Sequence, residues 1–225
     1  MGWVRDNTGR FRRRPYYRQS VLDQRCERLM CEFLQLLYGQ VTIPVPNGAL
    51  IKLVERDARD LDLYAELPEG VLGVTYFDPP HKPQVRIARS LFEDTRRLHR
   101  FRFTLAHEYA HVVLHAPLYL RLGSAAREDH QCSGTDIEPL AVVDWMEWQA
   151  SYAAGALLMP ISRLRAVVSA CSQSELRSAT LIDESLGKNL QQRTSEAFLV
   201  SGDAARVRLT QLGYLSGMHA PLLRL

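Results

Sequence analysis

The pentapeptide His107-Glu108-Tyr109-Ala110-His111 sets two imidazoles and a carboxylate at the spacing H-E-x-x-H. Phe101, Leu105, Ala110, Val112 and Val113 supply apolar positions, no Pro or Gly interrupts Thr95 to His115, and Pro117 lies just beyond, so a helix is predicted here. Residues four apart on a helix share a face, and His107 and His111 can therefore present their rings to one ion. Glu108 points about 100° round the axis from His107, which suits a carboxylate that touches an ion's bound water rather than the ion. These residue types in this order are what a zinc site needs to hydrolyse a peptide bond. The contrasting expectation is a surface helix with solvated His and Glu.

Such a site needs a third protein ligand and an open position for water and substrate. His115 continues the spacing, but three histidines on successive turns span about 12 Å of axis, too far for one ion with bonds near 2 Å. His115 is therefore expected behind the ligands, facing substrate, or in solvent. The longer pattern H-E-x-x-H-x-x-G-x-x-H fails, because Leu114 and Pro117 occupy its last two defined positions. A second helix is predicted between Asp144 and Pro160, with Glu147, Ala150, Ser151, Ala154 and Leu158 on one face. Small residues allow close helix approach, and Glu147 can then reach the ion held by His107 and His111. Asp144, one turn earlier, is the alternative third ligand, and both acids also suit a helix N-terminus. His115, His130 and Tyr152 are the candidates for a group behind the ligands or an oxyanion donor.

The run RFRFTLAHEYAHVVLHA, followed about 30 residues later by E-x-x-A-x-x-x-A-x-x-L-L-M-P, resembles the ImmA/IrrE family of bacterial and phage metallopeptidases. So does Val200-Ser201 through Ala204, Arg208, Leu209 and Leu212-Gly213. The resemblance runs from about residue 50 to 215. It implies His107, His111 and Glu147 as zinc ligands, one zinc per chain with manganese the alternative in vivo, and Glu108 as catalytic base. It also implies a protein substrate, a helix-turn-helix repressor whose cleavage switches on stress, phage or mobile-element genes. Ser151 and Ala153 depart from the family's usual Asn and Phe, at positions that bear on packing rather than ligation. The alternative functions are a non-catalytic zincin-fold regulator that binds a repressor or DNA, and a toxin-like or defence protease. An intact Glu108 argues for hydrolysis, since a binding protein has no chemical use for it.

The elements around these motifs predict an α+β, zincin-like fold, with a small antiparallel sheet packed on the H-E-x-x-H helix and a mostly helical C-terminal part. Residues 20–38 and 49–56 read as helices, the first with Ser20 as N-cap. Three strands follow at 60–67, 71–77 and 84–88. By analogy with peptidases that pair a substrate with a sheet edge, Val85 to Ala88 is the expected edge. Residues 116–143 read as a loop, and Gly134-Thr135-Asp136 resembles another zinc motif but lacks its acid in register. The domain division expected is a basic arm at 1–20, a metallopeptidase domain at 21–160 and helices at 161–225. The last two helices resemble a helix-turn-helix, with only Arg206 and Arg208 as cations on the second, so nucleic acid is a possible partner but not the favoured one.

The 225 residues are 46% hydrophobic and 24% charged, enough for a substantial core. No apolar run reaches the roughly 18 residues of a membrane span, and MGWVRDNTGR has no apolar leader segment, so a cytoplasmic protein with no membrane partner is expected. Its four cysteines form no C-x-x-C pair and are expected as free thiols, with Cys132 carrying a minor metal-ligand alternative. The net charge of +3 conceals six arginines against one aspartate in residues 1–20, interleaved with Phe11, Tyr16 and Tyr17. Such an arm either touches nucleic acid or an acidic partner, or packs down or stays loose as a leader.

Overall fold

The computed structural model describes residues 2–122, 128–133, 144–175 and 184–215. The chain opens with a hairpin, β1 (Gly2–Arg5) and β2 (Arg13–Tyr16), and continues into helices α1 (Gln19–Tyr38) and α2 (Asn47–Asp57). Strands β3 (Asp60–Ala65), β4 (Val71–Phe77) and β5 (Gln84–Ala88) lead through the short α3 (Arg89–Phe92) and a 3-10 turn at Thr95–Arg97 into α4 (Leu98–Leu114). After α5 (Ala116–Leu122) and β6 (Glu128–Ser133) come the helices α6 (Trp145–Leu158), α7 (Ile161–Glu175), α8 (Glu184–Phe198) and α9 (Gly202–Gln211). The α+β class is as expected. Among the described residues, no single helix is long and apolar enough to cross a membrane.

The ends of the helices follow local chemistry. Helix α1 stops at Gly39, whose φ of 70° lets its N–H reach the Gln35 carbonyl, a conformation costly for any residue with a Cβ. It begins at Arg18 with no side-chain cap, so Ser20 lies inside the helix rather than at its start. Ser201 does cap α9, accepting from the Ala204 N–H at 3.2 Å.

The sheet order is β3-β5-β4-β6, which corrects two expectations. β5 is parallel to β3 and antiparallel to β4, so the sheet is mixed. Val85 to Ala88 is also not an edge. The turn after β3 skips one slot, and β5, with Val85 and Ile87 fully buried, fills it. Alternation in a sequence reports the two faces of a strand but not its neighbours. The edge beside β4 is instead β6, which arises inside the segment expected to be loop and pairs with β4 from Val71 to Phe77.

Helix α4 is the centre of the molecule. Every residue from Phe101 to Val112 is buried, so the expectation of a solvated surface helix is ruled out. A buried charge must be paired, and Arg102 is: it donates to the carbonyls of Val45, Phe198 and Leu199 and to Asn47 Oδ1. One guanidinium thus ties α4 to the start of α2 and the end of α8; burial pulls its pKa down to about 10. Arg208, one of the two cations of the helix-turn-helix-like pair, is 1% exposed and donates to Asp23 Oδ1 of α1 at 2.7 Å. The Tyr152 hydroxyl donates to the other Asp23 oxygen at 3.0 Å.

The basic arm is packed down. Asp6 accepts from the Phe11 N–H, from the Thr8 N–H and hydroxyl, and from the Trp145 ring N–H at 3.0 Å. These bonds hold its pKa below the usual carboxylate range against the opposing effect of burial. Phe11 packs edge-on to Tyr119, which stacks on Phe77 at 4.2 Å, so a second small core joins the hairpin to β4, α5 and α6.

Removing Asp23 leaves the Arg208 guanidinium buried without its carboxylate, a loss of about 3–5 kcal/mol. Asp23→Ala is expected to lower the melting temperature by on the order of 10 °C, read by circular dichroism. An unchanged melting temperature contradicts the pairing.

Candidate metal centre

Helices α4 and α6 lie side by side, and the fully buried Ala110, Ala150 and Ala154 allow them to approach closely. On that seam His107 Nε2 lies 3.0 Å from His111 Nε2 and 3.0 Å from Glu147 Oε2, and His111 Nε2 lies 3.2 Å from Glu147 Oε1. Two nitrogen ligands with bonds of about 2 Å in a tetrahedral site stand roughly 3.3 Å apart, close to the spacing observed. The donor set therefore fits a metal: a carboxylate and two imidazole nitrogens converge on one point, all within 4.8 Å of one another. Converging lone pairs repel unless a cation lies among them. The same demand shows in His107, where burial disfavours the charged ring but the Glu147 hydrogen bond and the carboxylates of Glu147 and Glu108 outweigh it and raise the pKa. The two histidines are almost fully buried, whereas the Glu147 side chain is 34% exposed, so the centre opens on the Glu147 side.

Glu108 is wholly buried beside this group. Its Oε2 accepts from the Thr75 hydroxyl of β4 at 2.6 Å, whereas its Oε1 is buried and has no hydrogen-bond partner. Burial pushes its pKa up to about 8, with the nearby His107 charge and the Thr75 bond acting the other way. β4 comes this close only because Gly73 lacks a Cβ. One there would lie 2.8 Å from Thr104 Cγ2 and 2.9 Å from both Cγ and Oε1 of Glu108. Neither Thr75 nor Gly73 was singled out in the sequence. A glycine inside the β-rich run VLGVTYF is the signal that marks such a close approach.

The remaining predicted residues separate. Asp144 does not join the group: it caps α6 by accepting from the Met146 N–H at 2.9 Å and pairs with Arg10 at 3.0 Å. Tyr152 donates its hydroxyl hydrogen to Asp23. His115 is completely buried, with Nδ1 3.1 Å from His111 Nδ1 and Nε2 3.2 Å from Gln149 Oε1, behind the ligands rather than facing substrate. His130 stands on β6 opposite Thr75 in the register, but its side chain, like that of Cys132, lies outside the described residues. Gly134-Thr135-Asp136 lies outside them as well. Cys26 and Cys31 are free thiols; burial pushes Cys26 up to about 12.

The family model of Peptidase M78, the IrrE N-terminal-like domain, matches residues 63–210. The chain belongs to the M78 peptidase family. Comparison with curated proteins and with solved structures returned no match. The M78 match covers the whole of α4 and α6 and therefore every residue of the converging group. Membership implies a peptidase, and the buried His-His-Glu group is one that can bind the metal an M78 peptidase calls for. The departure from the family's usual Asn falls in this M78 chain on Ser151, whose hydroxyl lies 3.4 Å from His107 Nδ1.

Gly73→Ala forces β4 or Glu108 to shift, and overpacking of this kind costs about 1–3 kcal/mol. The expected result is a melting temperature lower by several degrees and a peptidase rate about 100-fold lower, because Glu108 is displaced. A variant with wild-type rate contradicts the contact.

Proposed function

We propose that this M78 chain is a zinc-dependent endopeptidase of zincin-like fold that cuts a peptide bond in a protein substrate, a helix-turn-helix repressor controlling stress, phage or mobile-element genes. The observation that carries the reading is the partnerless, buried Glu108 Oε1 beside the converging His107, His111 and Glu147. Those three residues hold the ion. When bound, it polarises the scissile carbonyl, lowers the pKa of a water and, as a nearby positive charge, draws Glu108 back toward its carboxylate form.

Thr75 occupies Glu108 Oε2 and so leaves Oε1 as the atom that takes the proton from the attacking water. The same atom then returns that proton to the leaving amine. The apolar packing of α4 around Glu108 excludes other water from the base. An extended substrate pairs with the outer edge of β6, the sheet edge nearest β4 and hence Thr75. A regulator that only binds a repressor has no use for a carboxylate oxygen kept buried without a partner, since that arrangement costs stability.

Co-incubation with candidate repressors, read by mass spectrometry, tests the reading. Wild type is expected to cut, and Glu108→Gln to retain the metal while cutting about 10²–10⁴-fold more slowly. A Glu108→Gln variant that cuts at the wild-type rate removes Glu108 from the mechanism. A wild type that carries metal yet cuts no repressor contradicts the substrate assignment.

A further inference from the structure

We infer that the groove between the N-terminal hairpin and the starts of α1 and α6 is a substrate subsite, one that takes an acidic segment carrying an aromatic side chain. The inference rests on the peptidase reading above and names the chemistry of the protein that is cut. The groove has a volume of about 820 Å³ and is lined chiefly by Arg14, Tyr16, Tyr17, Arg18, Trp145 and Trp148. Trp145 and Tyr17 are buried and supply its floor, whereas Tyr16 is 51% exposed and Trp148 half-buried. Aromatic faces offered in this way take another ring stacked or edge-on.

The charge of the groove is one-sided. Arg14 and Arg18 line it, and no aspartate or glutamate does. The Arg14 guanidinium lies over the Trp145 ring at 5.3 Å, and its Nε is buried with no hydrogen-bond partner. A buried donor left unpaired costs stability, and a carboxylate laid against this guanidinium recovers it. Arg18 is exposed and stands where α1 begins, with no side-chain cap and no acid in the first turn, so the positive end of the helix adds to the same field. Elsewhere in the arm Arg10 pairs with Asp144 and Arg13 donates to the Trp3 carbonyl. Two cations in one groove do not make the continuous track that a nucleic-acid backbone needs, and an acidic peptide is the occupant they fit.

Trp145, Glu147 and Trp148 all fall within the first four residues of α6. Successive residues of a helix turn by about 100°, so the groove and the metal centre open on different sides of one turn. A substrate crossing the start of α6 meets both: its acidic segment sits in the groove while the scissile bond lies at the metal centre. The bonds from Trp145 to Asp6 and from Arg10 to Asp144 fasten the hairpin to α6, so the groove is already formed before anything binds. The hairpin lies outside residues 63–210, and one wall of the subsite is therefore built from beyond the M78 match.

The test titrates wild type with the peptide acetyl-Glu-Glu-Phe-Glu-Glu-amide and with its counterpart carrying Lys for every Glu, following tryptophan indole N–H signals by NMR and affinity by calorimetry. The Trp148 signal is expected to move, and the acidic peptide to bind about tenfold more tightly than the basic one. Arg18→Glu, at an exposed position, is expected to weaken the acidic peptide about tenfold with unchanged circular dichroism, and to raise KM for a cleaved protein by a similar factor at unchanged kcat. A Trp148 signal that stays in place, or equal affinity for the two peptides, overturns the proposal without recourse to any variant. An Arg18→Glu chain that binds and cuts as wild type does overturns it as well. Oligothymidine that displaces the acidic peptide and binds more tightly overturns it in favour of nucleic acid. Tight acidic-peptide binding at Trp148 by a wild type that cuts no protein contradicts the peptidase reading while confirming what the groove binds.

Discussion

The site depends on how closely α4 can be approached from two sides. On one side α6 comes near enough for Glu147 to stand 3.0–3.2 Å from two imidazole nitrogens, and the small buried residues Ala110, Ala150 and Ala154 make that separation possible. On the other, β4 rests against Glu108 where Gly73 leaves no Cβ. A larger residue at either contact moves a carboxylate, and a displacement of about 1 Å is enough to disable a catalytic group. The fold around α4 therefore holds two close contacts at once, with Arg102 and the Asp23–Arg208 pair locking the surrounding helices.

Such a centre is costly to fold. A buried carboxylate oxygen without a partner carries a penalty of roughly 1–3 kcal/mol or more. The hydrophobic core that envelops α4 offsets that loss. Unsatisfied buried groups persist where function needs them, and the proposed role as base gives Glu108 Oε1 such a need. The buried Arg102 guanidinium, by contrast, is met by four acceptors.

Much of the centre was legible because helix periodicity translates spacing into a shared face. His107 and His111 follow from an interval of four, and Glu147 above Ala150 and Ala154 follows from the same rule applied to α6. Periodicity was less informative about Asp144, since a carboxylate at a helix start suits capping as well as ligation, and here it caps. The sheet was legible as strands but not as an order: Val85 and Ile87 alternate equally well at an edge or at the centre. The Arg-rich first residues concealed a hairpin, because its docking depends on Asp6 reaching Trp145, which lies 139 residues away. The contact of Gln149 with Pro15 spans 134 residues and leaves no local pattern at all.

The central claim is that His107, His111 and Glu147 hold one metal ion. Elemental analysis of wild type and His111→Ala, each purified without added metal, addresses it most directly. About one zinc per chain in wild type and none in the variant is the expected result. Wild type that stays empty even after reconstitution with zinc, or a His111→Ala chain that retains stoichiometric zinc, contradicts it.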